Sequence, residues 1–208
     1  MLEKYKCIVV ANGLFPSGEL ALRMLREAEF VIACDGAVME VEKYRVPDMI
    51  VGDLDSLPEE IYRKYTGRLY QVNEQETNDL TKAMNYACRH GFREVLILGA
   101  TGLREDHTLG NISLLLEYAS GFDCVEMLSD FGIMTPLLGS ATLESWPGQQ
   151  VSLFSLYPHG YISVSGLRYP IQNRRLLYWW EATLNEALEE KFSVSLSEGA
   201  KVIVYRKL

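Results

Sequence analysis

The chain has 208 residues, enough for one large or two small domains with a real core, and a formal net charge of −8. That charge argues against a nucleic-acid backbone or an anionic membrane as main partner. A small anionic ligand would need local help, such as a metal ion.

The N-terminal "MLEKYKCIVVANG" carries an apolar run, Cys7 to Ala11, too short for a leader, and no stretch approaches the roughly 18 apolar residues of a membrane span. A soluble cytoplasmic protein is expected. Cys7, Cys34, Cys88 and Cys124 form no C-x-x-C pair and read as reduced core residues.

"CIVVA", "FVIAC", "MIVG" and "VLILGA" are continuous apolar runs, as in strands covered on both faces. Between them, "NDLTKAMNYACRH" sets Leu80, Ala83, Met84, Ala87 and Cys88 on one helical face, with Gly91 as its stop; "GELALRMLREA" and "HTLGNISLLLEYA" show the same period more weakly. Strands alternating with helices predict a parallel α/β sheet. Past about Gly139 the pattern changes. "QQVSLFSLY", "GYISVSG", "RLLYWWEA", "KFSVSLSEG" and "AKVIVYRKL" are short, β-branched or aromatic, and predict an antiparallel sandwich or barrel. Pro136, Gly139, Pro147 and Gly148 place the boundary there, giving domains 1–138 and 139–208.

In an open parallel sheet ligands sit beyond the carboxyl ends of the strands. Acids follow four such ends: Asp35-Gly36-Ala37, Gly52-Asp53-Leu54-Asp55-Ser56, Thr77-Asn78-Asp79 and Gly102-Leu103-Arg104-Glu105-Asp106-His107. Strand alternation puts Asp53 and Asp55 on one side, with Gly52 admitting a ligand to the backbone. Singly, each acid has a plainer reading: D-L-D-S as a solvated turn capping a helix at "LPEE", Asp79 as a first-turn helix acid, Asp106 as an N-cap. Their repetition at successive strand ends favours a site for Mg²⁺ and phosphate, with Arg104 able to fork onto phosphate oxygens. Ser17-Gly18 offers backbone N–H groups to an anion at a helix start. The G-x-x-x-x-G-K-[ST] phosphate loop is absent.

In that order the four motifs resemble those of the thiamin pyrophosphokinase family: D-G-A, G-D-x-D-S, T-D-x-T-K (Asp79, Thr81 and Lys82, with Asn78 where Thr is usual) and G-x-R-x-D-H. "GLRYPI" and Thr183-Leu184-Asn185-Glu186 resemble its G-L-x-W/Y and S-N-E segments, with Leu184 at the Ser position. The resemblance implies an α/β nucleotide domain followed by a smaller β-sandwich that helps bind thiamin, in a homodimer using Mg²⁺ and ATP to make thiamin diphosphate, each thiamin pocket completed by the partner's β part. It implies Asp53, Asp55 and Asp79 as metal ligands, and these with Arg104 and Asp106 as the catalytic set. Asp35, Gly36, Ser56, Gln75, Thr81, Lys82, Arg104 and His107 would bind the nucleotide, and Tyr169, Asn185 and Glu186 the thiamin. Two rivals stand beside it: a metal-dependent nucleotide-sugar transferase using D-x-D, and a non-catalytic thiamin or nucleotide sensor.

Overall fold

The computed structural model describes residues 4–208, so the start of the segment read for a leader, Met1–Glu3, lies outside the described residues. The chain divides into two compact units, Met1–Asp130 and Phe131–Leu208.

The described residues of the first unit form six parallel strands, β1 (Cys7–Val10), β2 (Phe30–Cys34), β3 (Met49–Gly52), β4 (Leu69–Gln71), β5 (Glu94–Leu98) and β6 (Cys124–Leu128), in the order β6-β5-β1-β2-β3-β4. The four apolar runs are the inner strands. Val9, Val10, Ile32, Ala33, Ile97 and Leu98 have no accessible surface, which is why the runs do not alternate. Each such Val, Leu or Ile contributes about 1.5–3 kcal/mol by leaving water. Helices α1 (Glu19–Glu27), α2 (Val38–Val41), α3 (Glu59–Lys64), α4 (Asp79–Arg89) and α5 (Glu105–Tyr118) connect the strands. α4 buries Leu80, Ala83, Met84 and Ala87, as its periodicity predicts, and ends before Gly91 at φ +84°. The strand order reverses between β1 and β5, so a crevice is expected at their carboxyl ends.

The second unit is a sandwich of two antiparallel sheets. One runs β12 (Asn185–Glu186), β9 (Gln150–Tyr157), β14 (Lys201–Lys207), β7 (Gly132–Leu137); the other runs β11 (Ile171–Arg174), β10 (Ile162–Ser165), β13 (Lys191–Leu196), β8 (Ala141–Glu144). Val151, Leu153, Val202 and Val204 of one sheet share a buried core with Ile162, Val164, Phe192 and Val194 of the other.

Two expectations need correcting. The unit boundary lies at Asp130–Phe131, ahead of Gly139, because β7 pairs with β14 along its whole length, from Leu137 opposite Val202 to Gly132 opposite Lys207. "RLLYWWEA" forms no strand. The Glu181 carboxylate accepts from the backbone N–H groups of Leu177 and Tyr178 and pairs with Arg174, winding the aromatic run into a turn.

Candidate active site

Among the described residues of the first unit, three other than glycine take the left-handed backbone region, Asp35 (φ +40°), Leu54 (φ +65°) and Leu103 (φ +61°), and each follows a parallel strand at its carboxyl end. Such strain persists where surrounding contacts over-determine it, and it concentrates at functional sites.

Those turns aim the acids. Oxygens of Asp35, Asp53 and Asp55 lie within 4.8 Å of one another. Strand alternation is not the cause of their convergence: β3 ends at Gly52, and Leu54 turns the chain so that Asp55 N–H faces Asp53 Oδ1 at 3.4 Å. Gly52 also has a different use from the expected one. A Cβ there would stand 2.9 Å from Asp35 Cβ and 3.4 Å from Asp79 Oδ1, so the missing side chain admits two of the protein's own acids. Asp35 is buried, its Oδ2 accepting from Ser56 Oγ while Oδ1 has no hydrogen-bond partner. Burial and the neighbouring acids push its carboxyl above the usual range despite the Ser56 hydrogen bond. Asp53 pushes the Asp55 carboxyl up, by shared hydrogen bonding and charge. Clustered carboxylates with an orphaned buried oxygen fit a hard divalent cation, which would relieve both the repulsion and the orphan.

Asp79 lies outside that triad and is the first residue of α4, accepting from Lys82 Nζ at 3.1 Å. The Lys82 side chain is 3% exposed, and its ammonium is paired with Asp79 out of water. A cleft of about 430 Å³ opens between the loops after β1 and β5, at the strand-order reversal; Asn12, Asp53, Gln75, Asp79, Lys82, Arg104 and His107 are among its lining residues. Gln75 Nε2 reaches Asp53 Oδ2 at 3.4 Å. Arg104 forks onto Asp106, Nε to Oδ1 at 3.1 Å and Nη2 to Oδ2 at 2.6 Å, and this pairing with the His107 N–H holds the Asp106 carboxyl at about 2. The cap of α5 is Arg104; Asp106 sits within the first turn.

Several expected ligand contacts are made inside the protein instead. Ser56 holds Asp35, the Thr81 hydroxyl meets Tyr118 at 2.7 Å, and Gly36 lies where a Cβ would strike Asn12 Nδ2 at 2.9 Å. The anion at Ser17-Gly18 is Asp130, whose carboxylate accepts from both backbone N–H groups and from Ser17 Oγ. In the second unit, Asn185 is buried with its amide on Tyr169: Oδ1 accepts from Tyr169 N at 3.0 Å and Nδ2 donates to Tyr169 O at 2.7 Å. Glu186 pairs with Arg168 at 2.6 Å, and the Tyr169 ring is left 65% exposed. Asn12 and Asn111 were not among the expected site residues. Asn12 follows β1 as the acids follow β2 and β3, so the strand-end rule locates it; Asn111 is a polar residue on the buried face of α5, with Leu115 and Leu116.

A family model for the thiamin pyrophosphokinase catalytic domain matches residues 21–125, and one for the thiamin pyrophosphokinase substrate-binding domain matches residues 132–205. Over 160 residues the chain is 29% identical to a thiamine pyrophosphokinase 1 from Oryza sativa subsp. japonica, covering 70% of this chain and 60% of that protein. A thiamin pyrophosphokinase 1 from Caenorhabditis elegans is 24% identical over 171 residues, 75% of this chain and 70% of that one. The fold is shared with a thiamin pyrophosphokinase family protein from Enterococcus faecalis (TM-score 0.82, 21% identity, 98% and 99% of the two chains). It is shared equally with the Candida albicans thiamin pyrophosphokinase (TM-score 0.82, 17% identity, 100% and 90%).

Proposed function

Because the chain belongs to the thiamin pyrophosphokinase family, we propose that it transfers a pyrophosphoryl group from ATP to the hydroxyl of thiamin, giving thiamin diphosphate and AMP. The observation that carries the proposal is the convergence of Asp35, Asp53 and Asp55, with the orphaned Asp35 Oδ1, beside a cleft that also holds Lys82 and Arg104.

The thiamin oxygen forms a bond to the β-phosphorus, and the bond from that phosphorus to the oxygen bridging to the α-phosphorus breaks, its electron pair leaving with AMP. The hydroxyl proton is released to a base or to water. Little covalent chemistry falls to the protein, so positioning and charge neutralisation carry the catalysis. Asp53 and Asp55, with Asp35 at their side and Asp79 reaching in from α4, would hold Mg²⁺. When bound, Mg²⁺ draws charge from the phosphate oxygens. Lys82 is a fixed point charge. Arg104 offers a planar fork, kept in orientation by Asp106 until phosphate oxygens compete for it. The exposed Tyr169 ring offers a face to the cationic thiamin ring.

We propose a cytoplasmic homodimer. Sedimentation velocity tests the dimer, for which a monomer at working concentration is the contrary result. The described residues contain no helix long and apolar enough to cross a membrane.

One incubation with thiamin, ATP and Mg²⁺, with products identified by mass, tests the activity. Thiamin diphosphate with AMP supports it. ADP with thiamin monophosphate redirects it to a single phosphoryl transfer, and binding of both substrates without product supports the sensor. The sugar-transferase reading accounts for neither family match.

A further inference from the structure

Asn111 lies on the inner face of α5 with Leu115 and Leu116, at 9% exposure. A buried amide among apolar neighbours is costly unless its hydrogen bonds are made. Here Nδ2 donates to the Ala100 carbonyl at 2.8 Å, and Oδ1 accepts from Asn78 Nδ2 at 3.0 Å. The Oδ1 of Asn78 in turn accepts from Thr81 N–H at 2.9 Å, and its carbonyl accepts from Lys82 N–H at 3.1 Å. A continuous polar link therefore runs from the loop after β5, through α5, to the first turn of α4. Its direction is fixed: a flipped Asn111 amide would set oxygen against the Ala100 carbonyl and N–H₂ against N–H₂. Asn78 immediately precedes Asp79, and Lys82 lies one turn on, bonded to Asp79.

We propose that Asn111 is a positioning residue, acting through Asn78 to hold Asp79 and Lys82 in place relative to the loop that carries Arg104. The inference rests on the nucleotide-transfer reading of the cleft and adds to it the residue that registers α4 against β5. An asparagine at position 78 is what makes the link possible. A serine or threonine there would cap α4 equally well but is too short, and has too few polar groups, to cap and to reach Asn111 at once. Ångström-scale misplacement of groups that face a reacting phosphate costs rate out of proportion to its cost in stability.

The test compares wild type, Asn111→Ala, Asn111→Asp, Asn78→Ser and the Asn78→Ser/Asn111→Ala double variant. Thermal midpoint, kcat, KM for ATP and calorimetric affinity for Mg-ATP without thiamin are measured well below every midpoint. The expected result is a kcat lowered at least tenfold in each single variant, with the double variant no worse than the poorer single one, since both cut the same link. Asn111→Asp keeps the acceptor for Asn78 but sets an oxygen against the Ala100 carbonyl, so it falls with Asn111→Ala. If Asn111→Ala does not fold, Asn78→Ser, which keeps the cap, carries the test. Wild-type kcat in folded Asn78→Ser or Asn111→Ala, with only the midpoint lowered, overturns the proposal, as do independent losses that multiply in the double variant. Wild type that binds no Mg-ATP overturns the functional reading as well. Wild type that turns over while Asn78→Ser matches it overturns this inference alone.

Discussion

Gly52 and Asp35 are in such close contact that one methyl group on the glycine would stand 2.9 Å from Asp35 Cβ, a separation real side chains do not adopt. Gly52→Ala must therefore move Asp35, whose buried carboxyl anchors the acid triad, or shift the end of β3 that carries Asp53. Overpacking of this kind costs about 1–3 kcal/mol. The expected outcome is a lowered thermal midpoint together with at least a tenfold loss of kcat. Full turnover in folded Gly52→Ala would show that Asp35 need not hold its place.

Asp55 is exposed and Asp35 buried; burial, with the neighbouring acids adding to it, pushes the Asp35 carboxyl up, and the hydrogen bond and charge of Asp53 push the Asp55 carboxyl up. Asp55→Asn removes one repelling charge without emptying any core. In metal-free buffer its midpoint is expected to stay level or rise, while kcat falls at least a hundredfold, about 2.7 kcal/mol of transition-state stabilisation. Calorimetry of midpoints with and without Mg²⁺ adds a second readout: the ion is expected to stabilise wild type, and to stabilise the variant less. An unchanged response to Mg²⁺ would move the ion away from Asp55.

The parallel sheet was legible because both of its faces are covered, so that "CIVVA" and "VLILGA" had to be apolar throughout. The acids were legible because strand ends are where such sheets bind ligands. Turns held by side chains were not legible. The aromatic run at Leu177–Trp180 reads as a strand until Glu181 is seen taking its backbone N–H groups, and no local pattern announces that contact. Long-range polar pairing was equally hidden. Ser17-Gly18 reads as an open anion site because Asp130, its occupant, is distant in sequence. Strand alternation predicts Asp53 and Asp55 on one side, whereas a left-handed Leu54 after the strand's end is what brings their oxygens together.

That Asp130 contact fixes a pH dependence. Burial pushes the Asp130 carboxyl up, but the hydrogen bonds from Ser17 and Gly18 outweigh it and leave it below the usual carboxylate range. A carboxyl lowered on folding stabilises the native state fully above its unfolded value, near 3.9, and loses that contribution as pH falls through its folded value. Asp130→Asn keeps one acceptor oxygen and does not titrate. In denaturant unfolding, wild type should exceed the variant by about 1 kcal/mol at pH 7, with the gap closing as pH falls below the unfolded value and through the lowered folded one. A gap constant across that range would mean that the carboxylate charge contributes nothing at this helix start.

Asn185 and Tyr169 divide one task in the second unit. The Asn185 amide is buried and bonds both the N–H and the carbonyl of residue 169, with its Oδ1 also accepting from Glu186 N at 2.9 Å, while the Tyr169 ring stands exposed. If the Tyr169 ring faces thiamin, as proposed, an asparagine so engaged would act on it through the tyrosine that it holds. Tyr169→Ala is expected to raise KM for thiamin about tenfold, the scale of a lost cation–π contact, with kcat at saturating thiamin kept within a few-fold. Asn185→Ala should raise the same KM by a similar factor and, in addition, lower stability by about 1–3 kcal/mol, because it empties a buried site and leaves the Tyr169 N–H and carbonyl without their partner. The double variant decides between the two roles. If Asn185 acts through Tyr169, the second substitution adds little to KM once the first is made. If the two increases multiply, Asn185 touches thiamin itself and its bonds to the Tyr169 backbone are incidental.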